Sequence, residues 1–251
     1  MRVYLAMTQM YGFKPEELAD VDILASYYYI RNCKPLAEGW RGARDFLCDS
    51  GLFTFVNTGV RVDLESYADE YADWVRDNNV REYLELDVDE IKGVGWTRKL
   101  RDRIEKRVGW QSIPVFHVVR GKEAYLQDCR DYNRVAVGFM LSEGLPNNLT
   151  EKYVPWFIDK AHEHDCRIHG LGFTKTSLLP KYAFDSVDSS TFSAGGRFGS
   201  YQYFDPVRKQ IKQIARKAGT RMPSANALTI HNFHEWVKYQ KYARHNIPII
   251  W

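Results

Sequence analysis

Apolar stretches bounded by turn residues recur along the chain as VYLAM (3–7), ILASYYY (23–29), DFLCD (45–49), YLELD (83–87), IPVFHVV (113–119), RVAVGFM (134–140), RIHGLG (167–172) and YAFDSV (182–187). Most are near-continuous apolar runs, the pattern of parallel strands covered on the outside by helices. Between several of them the period lengthens. In LESYADEYADWV, the residues Leu64, Tyr67, Ala68, Tyr71, Trp74 and Val75 recur at three and four and make one stripe. TRKLRDRIEKRV repeats the pattern with Leu100, Ile104 and Val108, and TEKYVPWFIDKAHEH with Val154, Phe157, Ile158 and Ala161. Eight strands alternating with crossover segments predict an α/β fold, a (β/α)8 TIM barrel, which takes about 250 residues. The eighth strand ends near residue 187, so residues 1–205 are expected to form a compact catalytic barrel domain and 206–251 additional C-terminal basic helices packed on it.

A length of 251 residues with 45% hydrophobic and 27% charged content suits one large core. No apolar run approaches the ~18 residues of a membrane span, and MRVYLAMTQM lacks the zones of a secretory signal. A cytoplasmic protein without membrane contact is expected. Cys33, Cys48, Cys129 and Cys166 stand apart, with no C-x-x-C pair. They are expected to be reduced thiols, and neither a metal nor another cofactor is called for.

The net charge of +3 conceals an asymmetry: residues 206–251 hold nine Lys or Arg (Arg208, Lys209, Lys212, Arg216, Lys217, Arg221, Lys238, Lys241, Arg244) against the single acid Glu235. Such a tail suits a polyanion, and nucleic acid is the expected partner. The bland alternative is a basic helix lying on an acidic one, and the stretch 63–90 offers eleven acids against two Arg.

Chemistry in a (β/α)8 barrel sits where the strands end. Strand three ends at Asp49, strand four at Asp87 and strand eight at Asp185, while strand seven carries His169 just before Gly170 and Gly172. An Asp after a strand is commonly a cap or turn former. Three that converge could divide labour, one as nucleophile and one as acid and base.

Those fragments, in order, resemble the motifs of the tRNA-guanine transglycosylase superfamily, (β/α)8 enzymes that exchange guanine for a 7-deazaguanine at a nucleotide C1′. Asp49-Ser50-Gly51-Leu52-Phe53 matches DSGG-aromatic, Val118-Val119-Arg120-Gly121 matches IVQG, Ala136-Val137-Gly138-Phe139 matches AIGG, Gly170-Leu171-Gly172 matches GVG, and Phe184-Asp185-Ser186-Val187 matches FDxV. The resemblance covers about residues 45–190. It implies Asp185 as nucleophile, Asp49 as general acid and base, and Asp87 as the acceptor for the N–H groups of a guanine-like base. Ser50, Arg120, Gly138, His169, Gly170 and Gly172 would complete substrate binding, with Arg120 and His169 departing from the Gln and Met usual there. No cysteine follows Cys166, so the zinc site of the tRNA enzymes is missing. The chain is similar instead to the short phage-type members acting on DNA, which favours DNA over tRNA as partner and a 7-deazaguanine base as the small substrate.

Arg197 in the Gly-rich SAGGRFGS, together with Arg208, Lys209, Lys212, Arg216 and Lys217, is expected to track phosphates. Since a base inside a duplex cannot reach a barrel mouth, the target nucleotide would be flipped out or single-stranded. Two other functions compete: a metal-dependent hydrolase on the same barrel using His117, His169 and Asp185, and a non-catalytic nucleic-acid-binding barrel.

Overall fold

The computed structural model describes residues 1–52, 54, 62–138, 147–193, 199–214 and 224–249. Its centre is a parallel sheet of seven strands, β1 (Arg2–Ala6), β2 (Asp22–Ser26), β3 (Asp45–Asp49), β4 (Val115–Phe116), β5 (Arg134–Gly138), β6 (Arg167–Leu171) and β7 (Ser186–Ser189), in the order β3-β2-β1-β7-β6-β5-β4. The architecture is therefore α/β with a curled parallel sheet. Helices pack around it: α1 (Tyr27–Asn32), α2 (Lys34–Gly39), α3 (Leu64–Asp77), α4 (Asp89–Lys92), α5 (Val94–Val108), α6 (Lys122–Asp131), α7 (Asn147–His162) and α8 (Ala225–Asn246).

Two expectations about the sheet need correction. A full eighth strand over 83–87 is not formed: only Tyr83 and Leu84 make bridges, to Cys48 on β3 and to Ile113 just before β4. Cys48 N–H donates to the Glu82 carbonyl at 3.0 Å, and Ile113 N–H to the Tyr83 carbonyl at 2.8 Å. The ladder ends with the Glu85 N–H donating to the Ile113 carbonyl at 3.0 Å, and the side chains of Glu85 and Asp89, on either side of Asp87, both meet the buried guanidinium of Arg120. The last strand is also displaced. It covers Ser186–Ser189, not 182–187, and Asp185 precedes it. Phe184, fully buried, packs outward against Phe173 while the chain is still approaching the sheet.

Side chains that point inside the curl come from strands all along the sheet. Tyr4, Leu24, Leu47, Leu84, Ile113, Val115 and Ala136 form one inner cluster, which obeys the two-residue alternation of strands. A larger cluster fills the space between sheet and helices and includes Val3, Ile23, Val135, Ile168 and Val187 from the outward positions. The stripes expected on α3, α5 and α7 are buried there: Tyr67, Tyr71 and Val75; Leu100, Ile104 and Val108; Val154, Ile158 and Ala161.

The acidic stretch finds its partner locally. Glu65, Asp69 and Asp73 on α3 meet Lys99, Arg103 and Arg107 on α5 at 2.7, 2.6 and 2.6 Å. Both rows advance four residues at a time, one turn per rung. Exposed pairs of this kind contribute little individually, but they neutralise the acids without the C-terminal segment. That segment is not a set of helices throughout: β8 (Tyr201–Asp205) and β9 (Gln210–Ile214) make an antiparallel hairpin, and α8 then lies along β1. The expected boundary at 205/206 falls at the hairpin turn, where Lys209 takes φ +57°. Gln240 of α8 donates to the carbonyls of Val3 and Asp22 at 2.6 and 2.8 Å, tying the helix to the first two strands. No described helix is long and apolar enough to cross a membrane.

Candidate active site

The C-terminal ends of the strands bring three carboxylates together. Asp49 is the last residue of β3, in register with Ser26, the last residue of β2. Asp87 follows the Tyr83–Leu84 bridges, and Asp188 is the third residue of β7. Asp87 and Asp188 lie close enough for their charges to act on Asp49. Burial and then those two charges push the Asp49 carboxyl up to about 7, although the N–H groups of Gly51 and Ser50 pull the other way. A group of that kind can both give and take a proton near neutrality.

Asp87 is fixed by His117. Ile113 and Val115 point inward, so the next residue of the same parity, His117, arrives at the mouth, where Nε2 lies 2.7 Å from Asp87 Oδ2. Burial raises the Asp87 carboxyl, and the histidine opposes that shift. Burial also works against a charged His117, but the hydrogen bond and charge of Asp87 outweigh it and raise the imidazole above its ordinary value. Room for the ring comes from Gly138 on the neighbouring strand: a Cβ there would stand 3.1 Å from His117 Cε1 and 3.2 Å from Nδ1.

Asp188 is held through one oxygen. Its Oδ1 accepts the N–H of Gly172 at 2.8 Å and faces His169 Nε2 at 3.3 Å. Gly172, at φ +63°, turns its N–H inward from a backbone region that side chains disfavour. Three buried polar atoms at this end of the sheet, Ser26 Oγ, Ser50 Oγ and His117 Nδ1, have no hydrogen-bond partner among the described residues. Unpaired buried polar groups are costly, and a ligand with donors and acceptors would satisfy them.

Of the residues expected from the sequence, Asp49, Asp87, Ser50, Gly138 and Gly172 belong to this end. Asp185 does not. Its backbone carbonyl accepts from Arg2 N–H at the start of β1, and its carboxylate takes the Ile168 N–H at 2.6 Å and faces His162 at 3.1 Å. It therefore sits at the opposite, N-terminal end of the strands. Arg120 lies close enough for its charge to act on Asp87 and His117, but its guanidinium is bound to Glu85 and Asp89 and its side chain is 2% exposed. Gly170 faces outward, since a Cβ would meet Phe184 at 3.0 Å and Phe173 at 3.3 Å. His169 is fully buried beneath the mouth and touches Asp188 and Ser186.

Arg208 and Lys209 lie in the hairpin turn and Lys212 on β9, whereas Arg197, Arg216 and Lys217 lie outside the described residues, as do Phe53 and Phe139 of the quoted motifs. Sequence reasoning missed Asp188 and Ser26 as principal site residues, and it considered His117 only as a metal ligand. The signal for His117 was parity counted from Ile113. For Asp188 it was the polar alternation Ser186, Asp188, which reads as a strand facing a polar interior. No protein-family model and no curated protein matches the chain, so the site stands on its own geometry.

Proposed function

We propose that the curled sheet works as a (β/α)8 barrel whose fourth stave is reduced to the two bridges at Tyr83 and Leu84, and that its mouth exchanges bases at an anomeric carbon. The substrate in this reading is guanine in nucleic acid, DNA in preference to tRNA, and the incoming group is a 7-deazaguanine derivative. The observation that carries it is the convergence of Asp49, Asp87 and Asp188, with Asp49 raised to about 7. Displacement at C1′ needs a carboxylate beneath the sugar and a proton for the departing base.

The nucleophile in this proposal is Asp188 in place of Asp185. With Oδ1 engaged by Gly172 and His169, Oδ2 attacks C1′ as the C1′–N9 bond breaks, and the electron pair leaves with the base. Asp49, protonated, delivers its proton to that base. The incoming base then gives a proton back to Asp49 and attacks C1′, releasing Asp188. Asp87 accepts from the donor edge of the base, and His117, on its other side, keeps it oriented. The hydroxyls of Ser26 and Ser50, unpaired among the described residues, remain for the sugar or the base.

The rival metal-dependent hydrolase requires His117, His169 and Asp185 around one ion, but Asp185 stands at the other end of the strands. Among the described residues no group of three or more His, Cys, Asp or Glu is arranged to hold a metal. Trapping separates exchange from simple binding. Incubated with guanine-containing DNA, or separately with tRNA, and no incoming base, the protein should form an adduct stable to denaturation. The adduct should vanish in Asp188→Asn and persist in Asp185→Asn. The reverse pattern in folded variants overturns the assignment of Asp188, and absence of any adduct with either polymer favours a binding barrel.

A further inference from the structure

Behind Asp188 a line of polar side chains crosses the interior of the curl. Arg134, the first residue of β5, forms an ion pair with Glu82 and sends Nη2 to Ser186 Oγ at 2.7 Å. Ser186 Oγ lies 2.8 Å from His169 Nδ1, and His169 Nε2 lies 3.3 Å from Asp188 Oδ1. Arg134 is 3%, Ser186 1% and His169 0% exposed, so water does not compete for these bonds.

The direction of each bond follows from donor counting. A guanidinium only donates, so Ser186 Oγ accepts from Arg134 and its single hydrogen is left for His169 Nδ1. Burial lowers the His169 imidazole, and Arg134 beside it favours the same neutral form against the pull of Asp188. A neutral ring that accepts at Nδ1 carries its hydrogen on Nε2. That hydrogen faces Asp188.

We propose that Arg134, Ser186 and His169 form a one-way hydrogen-bond relay that locks His169 as the Nε2–H tautomer and so aims Asp188, making His169 a positioning residue and not a contact for the base. The proposal rests on the reading of Asp188 as nucleophile. Both donors to the carboxylate, His169 and Gly172, fall on Oδ1, and among the described residues none takes Oδ2. A hydroxyl at 186 is thus required for orientation, not for contact with substrate.

The first test needs no activity. In the full chain labelled with 15N-histidine, long-range proton–nitrogen correlation spectra report each tautomer, and the His169 signals are identified by their loss in His169→Gln. The expected result is a neutral Nε2–H ring across about pH 6 to 8, turning to a tautomer mixture in Ser186→Ala. An Nδ1–H ring or an imidazolium in the parent protein overturns the relay.

The second test follows labelled guanine exchanging into guanine-containing DNA. His169→Leu should lower kcat by roughly tenfold to a hundredfold, the worth of one hydrogen bond to a charged group, with KM nearly unchanged. His169→Gln, whose amide N–H can reach Asp188, should recover most of the loss. A change confined to KM overturns the proposal, because it marks a residue that touches the base. A parent protein that exchanges no guanine counts against base exchange itself, and the tautomer spectra still decide the relay.

Discussion

Replacing Asp49 by Asn should make the protein more stable while removing the proposed base exchange. The Asp49 carboxyl rises from 3.8 to about 7 in the folded chain, through burial and the charges of Asp87 and Asp188. A folded-state value above the unfolded one means that the native protein binds this proton more tightly. The stability it contributes is therefore fully present below about pH 4 and is lost as pH rises through about 7. Above that, Asp49 is charged in both states, and the shift of about three units amounts to about 4 kcal/mol. Asp49 is only part-buried, so solvent screens some of the repulsion and about half, roughly 2 kcal/mol, is the expected cost. Asn keeps the volume and a carbonyl oxygen for the Ser50 and Gly51 N–H groups but never ionises. Urea unfolding at about pH 8 should show Asp49→Asn more stable by roughly 2 kcal/mol, a rise in Tm of about 4–8 °C for a chain of this size. At about pH 4 the two proteins should converge. A variant no more stable than the parent at pH 8, or a difference that does not change with pH, refutes the crowding of carboxylates at the mouth.

Gly138→Ala would place a Cβ 3.1–3.2 Å from the His117 ring, so the ring must shift by a few tenths of an ångström and strain its hydrogen bond to Asp87. Unfolding free energy should fall by about 1 kcal/mol, while guanine exchange falls more than about tenfold; unchanged exchange would show that His117 has room to spare. Arg120→Met removes a guanidinium buried between Glu85 and Asp89; Glu85 keeps Arg101 at 2.6 Å, but Asp89 is left without an ion pair among the described residues, at a cost of about 3–5 kcal/mol. Thermal unfolding should drop by roughly 6–20 °C, and a variant that keeps its Tm but loses affinity for the base would return Arg120 to the role expected from the sequence.

Periodicity carried much of the fold because the outer core depends on it: the stripes of α3, α5 and α7 bury the residues they mark. Asp49 was legible because β3 ends where its apolar run ends. The final strand was not, for a physical reason. β7 presents Ser186 and Asp188 to an interior that already holds Arg134 and His169, so its inward face is polar and the apolar run Tyr182, Ala183, Phe184 marks only the approach to it. A shift of that kind moves a carboxylate to the other end of the sheet, and so the motif FDSV led to Asp185. Arg120 and His169 were found as residues but not as directions. Whether a side chain reaches the mouth depends on which neighbours compete for it, and Glu85, Asp89 and Ser186 lie far from them in sequence. The basic C-terminal charges suggested helices, whereas the alternation of Gln202 and Phe204 toward α8 builds a hairpin.

The acids at the two ends of the strands differ in their cationic partners, and the contrast supports the mouth as the working end in the proposed reading. At the N-terminal end Asp22 meets Arg44, Asp45 meets Arg2, and Glu82 meets Arg134 and Arg167. These three acids are matched by Arg, while Asp185 at the same end has the Ile168 N–H and His162. At the C-terminal end no described Lys or Arg forms an ion pair with Asp49, Asp87 or Asp188. Asp87 has His117, Asp188 has two hydrogen-bond donors on one oxygen, and Asp49 has only backbone N–H groups against two neighbouring charges. The least compensated of the three, Asp49, is the one raised to about 7, and in the proposed reading the other two serve as acceptor and nucleophile. A donor-rich base edge settling on Asp87 would further compensate that charge and ease the repulsion on Asp49. Binding would then prepare Asp49 to part with its proton at the step that calls for it.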